Sequence, residues 1–191
     1  MPPASTDTPK AKLLAKRAAL AAAVADILLD EGLADLPLRE LAARLGTSDR
    51  MLLYYFPEKA ALTLAAIAEV ANRLNVLLGE LERPAGQVDA ATAFADTAAL
   101  MAVPGMSAFR AVWADILARG GRGEAPFADL ARGFIESSIA SIEARLAIGD
   151  AVQRRQVAAG ILAAIEGVWL LNMVAPESTD GALQALIDRF S

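Results

Sequence analysis

Apolar residues recur at helical spacing in the first part of the chain. Intervals of four, three, four and three residues separate Leu14, Ala18, Ala21, Ala25 and Leu28, which places them on one stripe of an α-helix. The composition is 55% hydrophobic but only 5% aromatic, and its apolar part is mainly Ala and Leu, which lose little on entering a helix. No segment alternates apolar and polar residues between hairpin turns as strands do. The sequence therefore predicts an all-α protein.

Glycine, proline and hydroxyl residues divide the N-terminal part of this pattern. Gly32 and Gly46 predict two helix ends, Pro37 suits the first position of a helix, and Thr47 or Ser48 caps the next one. The predicted helices cover residues 10–31, 37–45 and 48–56. Since the two short helices would not be stable alone, the three must share one core in a helix-turn-helix.

The rest of the chain predicts longer helices. They cover residues 59–81, 89–103, 107–119, 126–148 and 150–174. A short last helix, capped by Ser178 or Thr179, precedes the C-terminus. The first nine residues are rich in Pro, Ser and Thr, which predicts a disordered tail and not a signal peptide. We therefore expect a tail at 1–9, a helix-turn-helix domain at 10–58 and a second helical domain at 59–191.

The formal net charge of -5 is unevenly distributed along the chain. Residues 1–60 hold eight Lys or Arg and eight Asp or Glu, so they sum to zero. The remaining residues hold ten basic and fifteen acidic side chains, which is the whole excess. A nucleic-acid-binding surface, if the chain has one, therefore belongs to the N-terminal part.

The chain contains no Cys and no His. Cys supplies the thiolate and His the imidazole that serve as metal ligands, nucleophiles and general bases in many enzymes. Acidic pairs such as Glu136 and Glu143 are present, but a di-iron carboxylate site also needs His. We therefore expect no enzymatic activity, no metal and no cofactor, and the lack of Cys agrees with a cytoplasmic location.

One apolar segment, residues 157–175, has the length of a membrane span. Its single charge, Glu166, lies near the centre, where a carboxylate costs about 2.5 to 3.5 kcal/mol on insertion. This cost favours a buried or dimer-forming helix over a transmembrane one, and we expect no membrane partner.

Residues 38–62, LRELAARLGTSDRMLLYYFPEKAAL, resemble the DNA-binding signature of the TetR-like (tetracycline-repressor-like) family, and the resemblance extends back to residue 10. The positions that carry it are Gly32, Leu41, Ala42, Gly46, Thr47, Ser48, Leu52, Tyr55, Phe56 and Lys59. Two departures stand out. Leu36 and Pro37 replace the usual hydroxyl cap of the second helix, and Asp49 replaces a common basic residue, although Arg50 restores a cation one position later.

The resemblance implies that the second short helix enters the major groove of double-stranded DNA. The residues expected to meet base edges are Ser48, Arg50, Met51 and Tyr54, with Asp49 on the same surface. Those expected at the sugar-phosphate backbone are Arg39, Thr47, Tyr55 and Lys59. Further phosphate contacts are expected from Lys10, Lys12, Lys16 and Arg17. The alternative is that Tyr55 belongs to the core and that Arg39 and Arg44 are ordinary solvated charges.

The resemblance also implies a homodimer on a pseudo-palindromic operator, because two-fold dimers bind two half-sites. In the family the last two long helices form the dimer interface, and small residues on the second one allow close approach. These are Gly160, Ala163, Ala164 and Gly167. The alternative is that they pack within their own chain.

The family further implies a ligand-responsive repressor that a small apolar effector releases from DNA by reciprocal coupling. The expected effector-binding residues are large side chains of the middle helices and of the last long helix, where core packing is the alternative role. They are Met101, Met106, Phe109, Trp113 and Trp169. A different reading of the whole chain, a helical protein-interaction or membrane-associated protein without DNA binding, also remains open.

Overall fold

The computed structural model describes residues 9–33, 36–79 and 86–190. In these ranges the regular structure is helical, apart from one isolated parallel bridge between Val88 and Leu146. The all-α prediction is therefore confirmed. The tail expected at residues 1–9 lies outside the described residues, except for Pro9, which begins the first helix.

The described helices follow the predicted order. They are α1 (Pro9–Glu31), α2 (Leu38–Arg44), α3 (Asp49–Tyr55), α4 (Lys59–Gly79), α5 (Ala90–Met101), α6 (Met106–Gly121), α7 (Phe127–Glu143), α8 (Ala151–Asn172), a 3-10 turn (Pro176–Ser178) and α9 (Ala182–Ile187). The chain forms two compact units. The first contains α1 to α4 and Ala108–Val112 of α6, and the second contains the remaining helices.

Helix α1 buries only part of the stripe that the sequence predicts. Ala21, Ala25 and Leu28 are buried, whereas Leu14 is 53% exposed and Ala18 is also exposed. The buried half packs mainly against α4. Spacing identifies the apolar face of a helix, but it does not show how far along the helix a neighbour covers that face.

Two short helices and a tight turn complete the first unit. Pro37 precedes α2, and Gly46 ends the turn after it with a φ of 62°, a conformation that favours glycine. Ser48 is the cap of α3, since its Oγ accepts a hydrogen bond from the Met51 N–H at 3.3 Å. Leu52 and Phe56 are almost fully buried. The three helices therefore share a core, as their lengths require.

A single arginine ties α4 to α1. Arg73 donates from Nη1 to the Asp26 carboxylate at 2.6 Å and from Nη2 to the Ala22 carbonyl at 3.2 Å. Its Nε donates to Glu69 on the same helix at 2.9 Å. Because one planar group bridges two carboxylates and a main-chain carbonyl, it fixes the position of α4 along α1.

The second unit is built around α8. Its core includes Phe94 of α5, Leu146, and Ala158, Ile161 and Ile165 of α8. Helix α7 packs along α8, and α5 and α9 also contact it. The apolar character of residues 157–175 is thus explained in part by packing inside this unit.

Several predicted boundaries in the second unit were wrong. Helix α7 ends at Glu143 and not at 148, because residues 145–147 bond to Val88 through the main chain. Gly120 and Gly121 belong to α6 and not to the loop after it. Ser178 ends the 3-10 turn and Thr179 follows it, while Gly181 precedes α9 with a φ of 70°.

By length and composition alone, residues 59–78 of α4 could cross a membrane, and α5 with α6 could do so as one span bent by 99°. Residues 157–175 are not among these segments. Leu62, Ala66, Ile67 and Val70 of α4 are buried. Burial of these four side chains accounts for part of the hydropathy of α4.

Adjacent leucines in α3 allow the shared core to be tested. Leu52→Ala should lower the free energy of unfolding by about 2 to 5 kcal/mol, because it empties a site that is 1% exposed. Leu53→Ala, at a side chain that is 44% exposed, should lower it by less than about 1 kcal/mol. Urea titration followed by circular dichroism measures both changes. Equal losses would show that α3 is not anchored through Leu52.

Candidate functional site

The orientation of α3 follows from its two buried anchors, Leu52 and the following Phe56. Side chains on the opposite face of such a short helix point away from the core. Arg50 lies on that face, and Tyr54, one turn later, is 65% exposed. Met51 flanks them and is 42% exposed. The helix therefore presents its first two turns to a binding partner.

Arginines of the first unit differ in what they contact. Arg39 on α2 and Arg50 on α3 are exposed, and neither has a hydrogen bond or an ion pair within the described residues. Arg44, by contrast, binds the Glu31 carboxylate at 2.5 Å and the Glu40 carboxylate at 3.1 Å. The hydrogen bond to Glu31 raises the pKa of Arg44. Arg39 and Arg50 are thus available for a ligand, whereas Arg44 joins α1 to α2.

The N-terminal half of α1 is connected to the end of α3 through a cation–π contact. The Arg17 guanidinium lies 5.0 Å from the centroid of the Phe56 ring. Lys10, Lys12 and Lys16 are exposed on the same part of α1. This contact brings a basic segment next to the helix that carries Arg50.

The residues expected at the sugar-phosphate backbone differ in burial and in their contacts. Thr47 is half-buried, and its N–H donates to the Ala42 carbonyl at 2.9 Å, which closes the turn. Tyr55 is half-buried, and its ring meets the Tyr54 ring edge-on with centroids 5.0 Å apart. Lys59 begins α4. Ser48 is exposed and Asp49 is half-buried at the start of α3.

Comparison with known proteins agrees with this geometry. The family described as bacterial regulatory proteins, tetR family, matches residues 19–66, from the buried half of α1 into α4. Residues 19–66 therefore form a domain of the tetR family. A transcriptional regulator from Rhodococcus sp. Rha1 has a similar crystal structure, with a TM-score of 0.71 and 26% sequence identity over 92% of this chain and 94% of that chain. No match was found among curated protein sequences.

The chain is therefore a DNA-binding transcriptional regulator, and α2 and α3 form its helix-turn-helix. In such motifs the second helix lies in the major groove, with residues near its N-terminus at the base edges. Arg50 and Met51 lie at this end of α3, on its exposed side.

The five residues expected to bind an effector are not equally placed in the regulator. Met106 and Trp169 are buried, and Met101 packs against the core of the second unit. Trp113 is half-buried in the same unit. Phe109 belongs to the first unit. Their role in effector binding stays a prediction.

A carboxylate beside Trp113 was missed as a candidate. The Trp113 indole N–H donates to the Glu166 carboxylate at 3.1 Å, and its ring lies 4.3 Å from the Phe134 ring. In the sequence, Glu166 is distinguished only as the one charged residue of the apolar segment 157–175. A half-buried carboxylate in a helix of apolar residues is itself a signal, because such a group needs a donor.

An open cleft of about 610 Å³ lies at the C-terminal end of α8. Its lining includes Asn172, Glu177, Asp180 and Gln184. None of the five expected effector residues lines it. Its mixed polar and apolar lining also differs from the apolar cavity that the family resemblance implies.

The residues expected at a dimer interface lie mostly on the outer side of α8. Gly160, Ala163 and Gly167 are exposed, and a β-carbon added at either glycine would have no neighbour within 4 Å. Packing within the chain is therefore not their role in the described residues. Ala164 differs, because it is half-buried and packs against the core of its own unit.

The acidic pair considered for catalysis is engaged in ion pairs. Glu136 and Glu143 lie 2.5 and 3.8 Å from the guanidinium of Arg155, and Arg154 is 3.7 Å from Glu143. In the described part of the chain no three acidic side chains form a group suited to a metal ion.

The contrast between Arg50 and Arg44 gives a test of the interface. Arg50→Ala should weaken binding to the preferred sequence by about 1 to 3 kcal/mol and relax preference at one position per half-site. Arg44→Ala should lower the thermal midpoint and leave base preference unchanged, because its partners are Glu31 and Glu40. Fluorescence anisotropy with sequence variants measures affinity and base preference, and thermal unfolding followed by circular dichroism measures the midpoint. A uniform loss on all sequences would make Arg50 a phosphate contact only.

Proposed function

We propose that the regulator is a homodimeric repressor that binds a pseudo-palindromic operator and leaves it when a small apolar effector binds the second unit. The proposed location of the repressor and of its DNA is the cytoplasm. The observation that carries the proposal is the outward face of α3, on which Arg50 has no partner among the described residues while Leu52 and Phe56 anchor the opposite side.

The surface of the first unit supports DNA binding although its formal charges sum to zero. Arg44 binds Glu31 and Glu40, so its single positive charge offsets one of their two negative charges. Arg39 and Arg50 remain exposed, and Lys10 and Lys16 are exposed on α1. These cations suit phosphate oxygens and guanine, which guanidinium groups bind in a bidentate way.

Dimerisation is supported by the outer surface of α8. Small residues at Gly160, Ala163 and Gly167 continue into exposed Leu170 at intervals of three and four residues, and Val174, just after the end of the helix, is 87% exposed. Apolar side chains at this spacing form one stripe of a helix. A second copy of the same stripe would bury it, and small residues would allow the two helices a close approach.

Effector response is proposed from the aromatic and thioether side chains of the second unit. Trp113, Phe134 and Trp169 supply broad apolar faces, and Met101 and Met106 are adaptable in shape. An effector that binds the DNA-free conformer more tightly lowers the affinity for DNA, and by linkage DNA lowers the affinity for the effector.

A helical protein-interaction module that has kept this fold without DNA binding is the second candidate. Asp49 in the first turn of α3 favours it, because a carboxylate at this place repels phosphate. The two candidates differ in a selection experiment, in which the repressor enriches related sequences from a random duplex library and the interaction module enriches none.

The salt dependence of DNA binding provides a first test. If the dimer neutralises six to eight phosphates, the logarithm of the binding constant should fall with the logarithm of salt concentration with a slope on the order of -5 to -7. Anisotropy titrations of a labelled duplex between low and moderate salt measure this slope. A flat dependence would contradict binding through Arg39, Lys10 and Lys16.

The dimer face can be tested by charge insertion. Ala163→Glu should convert the dimer to a monomer and weaken operator binding by at least tenfold, because two carboxylates would meet across the two-fold axis. Ala118→Glu, at an exposed alanine of α6, is the matched control and should leave both properties unchanged. Sedimentation velocity measures the mass. A monomeric wild type would overturn the dimer proposal.

A further inference from the structure

The outward face of α3 is largely hydrocarbon. Met51, Leu53 and Tyr54 are 42%, 44% and 65% exposed. The polar groups beside them include the Arg50 guanidinium, the Tyr54 hydroxyl and the Ser48 hydroxyl, which accepts the Met51 N–H. Neighbouring exposed apolar side chains on one helix are typical of an interaction surface.

The major groove offers one apolar group to such a surface. Each base pair presents hydrogen-bond donors and acceptors there, and thymine adds its C5-methyl group. A methionine that covered donors and acceptors would remove them from water without replacing their hydrogen bonds. Contact with a methyl group instead buries apolar area on both partners.

We propose that Met51 reads a thymine methyl group in the same half-site in which Arg50 reads guanine. The inference rests on DNA binding through α3, and it adds the class of base that the apolar part of the helix selects. Met51 is the third residue of α3, near the end that meets base edges, whereas Leu53 is the fifth. The neighbouring Tyr54 ring, three residues from Met51, extends the same apolar surface.

The flexible thioether of Met51 suits this role. It is unbranched and polarizable, so it can follow the position of a methyl group without needing a hydrogen-bond partner. The same reasoning assigns a second property to the regulator. Cytosine methylated at C5 presents a methyl group at the same place in the groove, so 5-methylcytosine at the thymine position should retain part of the contact.

The test compares thymine with deoxyuridine, which lacks only the methyl group and keeps every hydrogen-bonding atom. A random duplex library is selected with the full-length protein, and each thymine of the enriched sequence is then replaced by deoxyuridine in turn. One replacement per half-site should weaken binding by about fourfold, the equivalent of one buried methyl group. Met51→Ala should bind the thymine and deoxyuridine duplexes equally.

Two variants serve as controls. Met51→Leu keeps an apolar side chain and should retain the discrimination, and Leu53→Ala removes a similarly exposed side chain and should retain it as well. Thermal unfolding of each variant establishes that the fold is intact. Enrichment of no sequence at all would refute DNA binding itself. Enrichment with equal affinity for every deoxyuridine duplex, or discrimination that survives Met51→Ala, would overturn the thymine assignment alone.

Discussion

Burial of Leu52 and Phe56 is the interaction on which the DNA-binding unit depends. Helices α2 and α3 have seven residues each, which is too short for either to be stable in water without tertiary contacts. Their existence therefore requires a core shared with α1 and α4. The same burial sets the rotation of α3 about its axis. The packing of the core therefore also determines which residues of α3 face DNA.

Charge alone gives a misleading impression of this unit. Its first sixty residues have no net charge, yet the structure separates cations that are engaged from cations that are exposed. Arg44 binds two carboxylates and Arg17 lies over an aromatic ring, while Arg39 and Arg50 extend into solvent. Affinity for a polyanion depends on the arrangement of exposed charge more than on its sum.

The parts of the fold that the sequence predicts well are those governed by local chemistry. Gly46 and Ser48 have the roles expected of them, because a positive φ and a helix cap are properties of one or two residues. The failures concern contacts between distant segments. The exposure of Leu14, the early end of α7 and the engagement of Arg44 each depend on a neighbour that spacing cannot identify.

The tyrosines and the tryptophans of the regulator lie in different units. Its two tyrosines, Tyr54 and Tyr55, are adjacent in α3, and its two tryptophans, Trp113 and Trp169, both belong to the second unit. Excitation at the red edge of the absorption band selects the indoles and so reports on the second unit alone. Tyrosine-specific signals arise solely from the recognition helix. An unlabelled protein thus carries separate optical reporters for its two units.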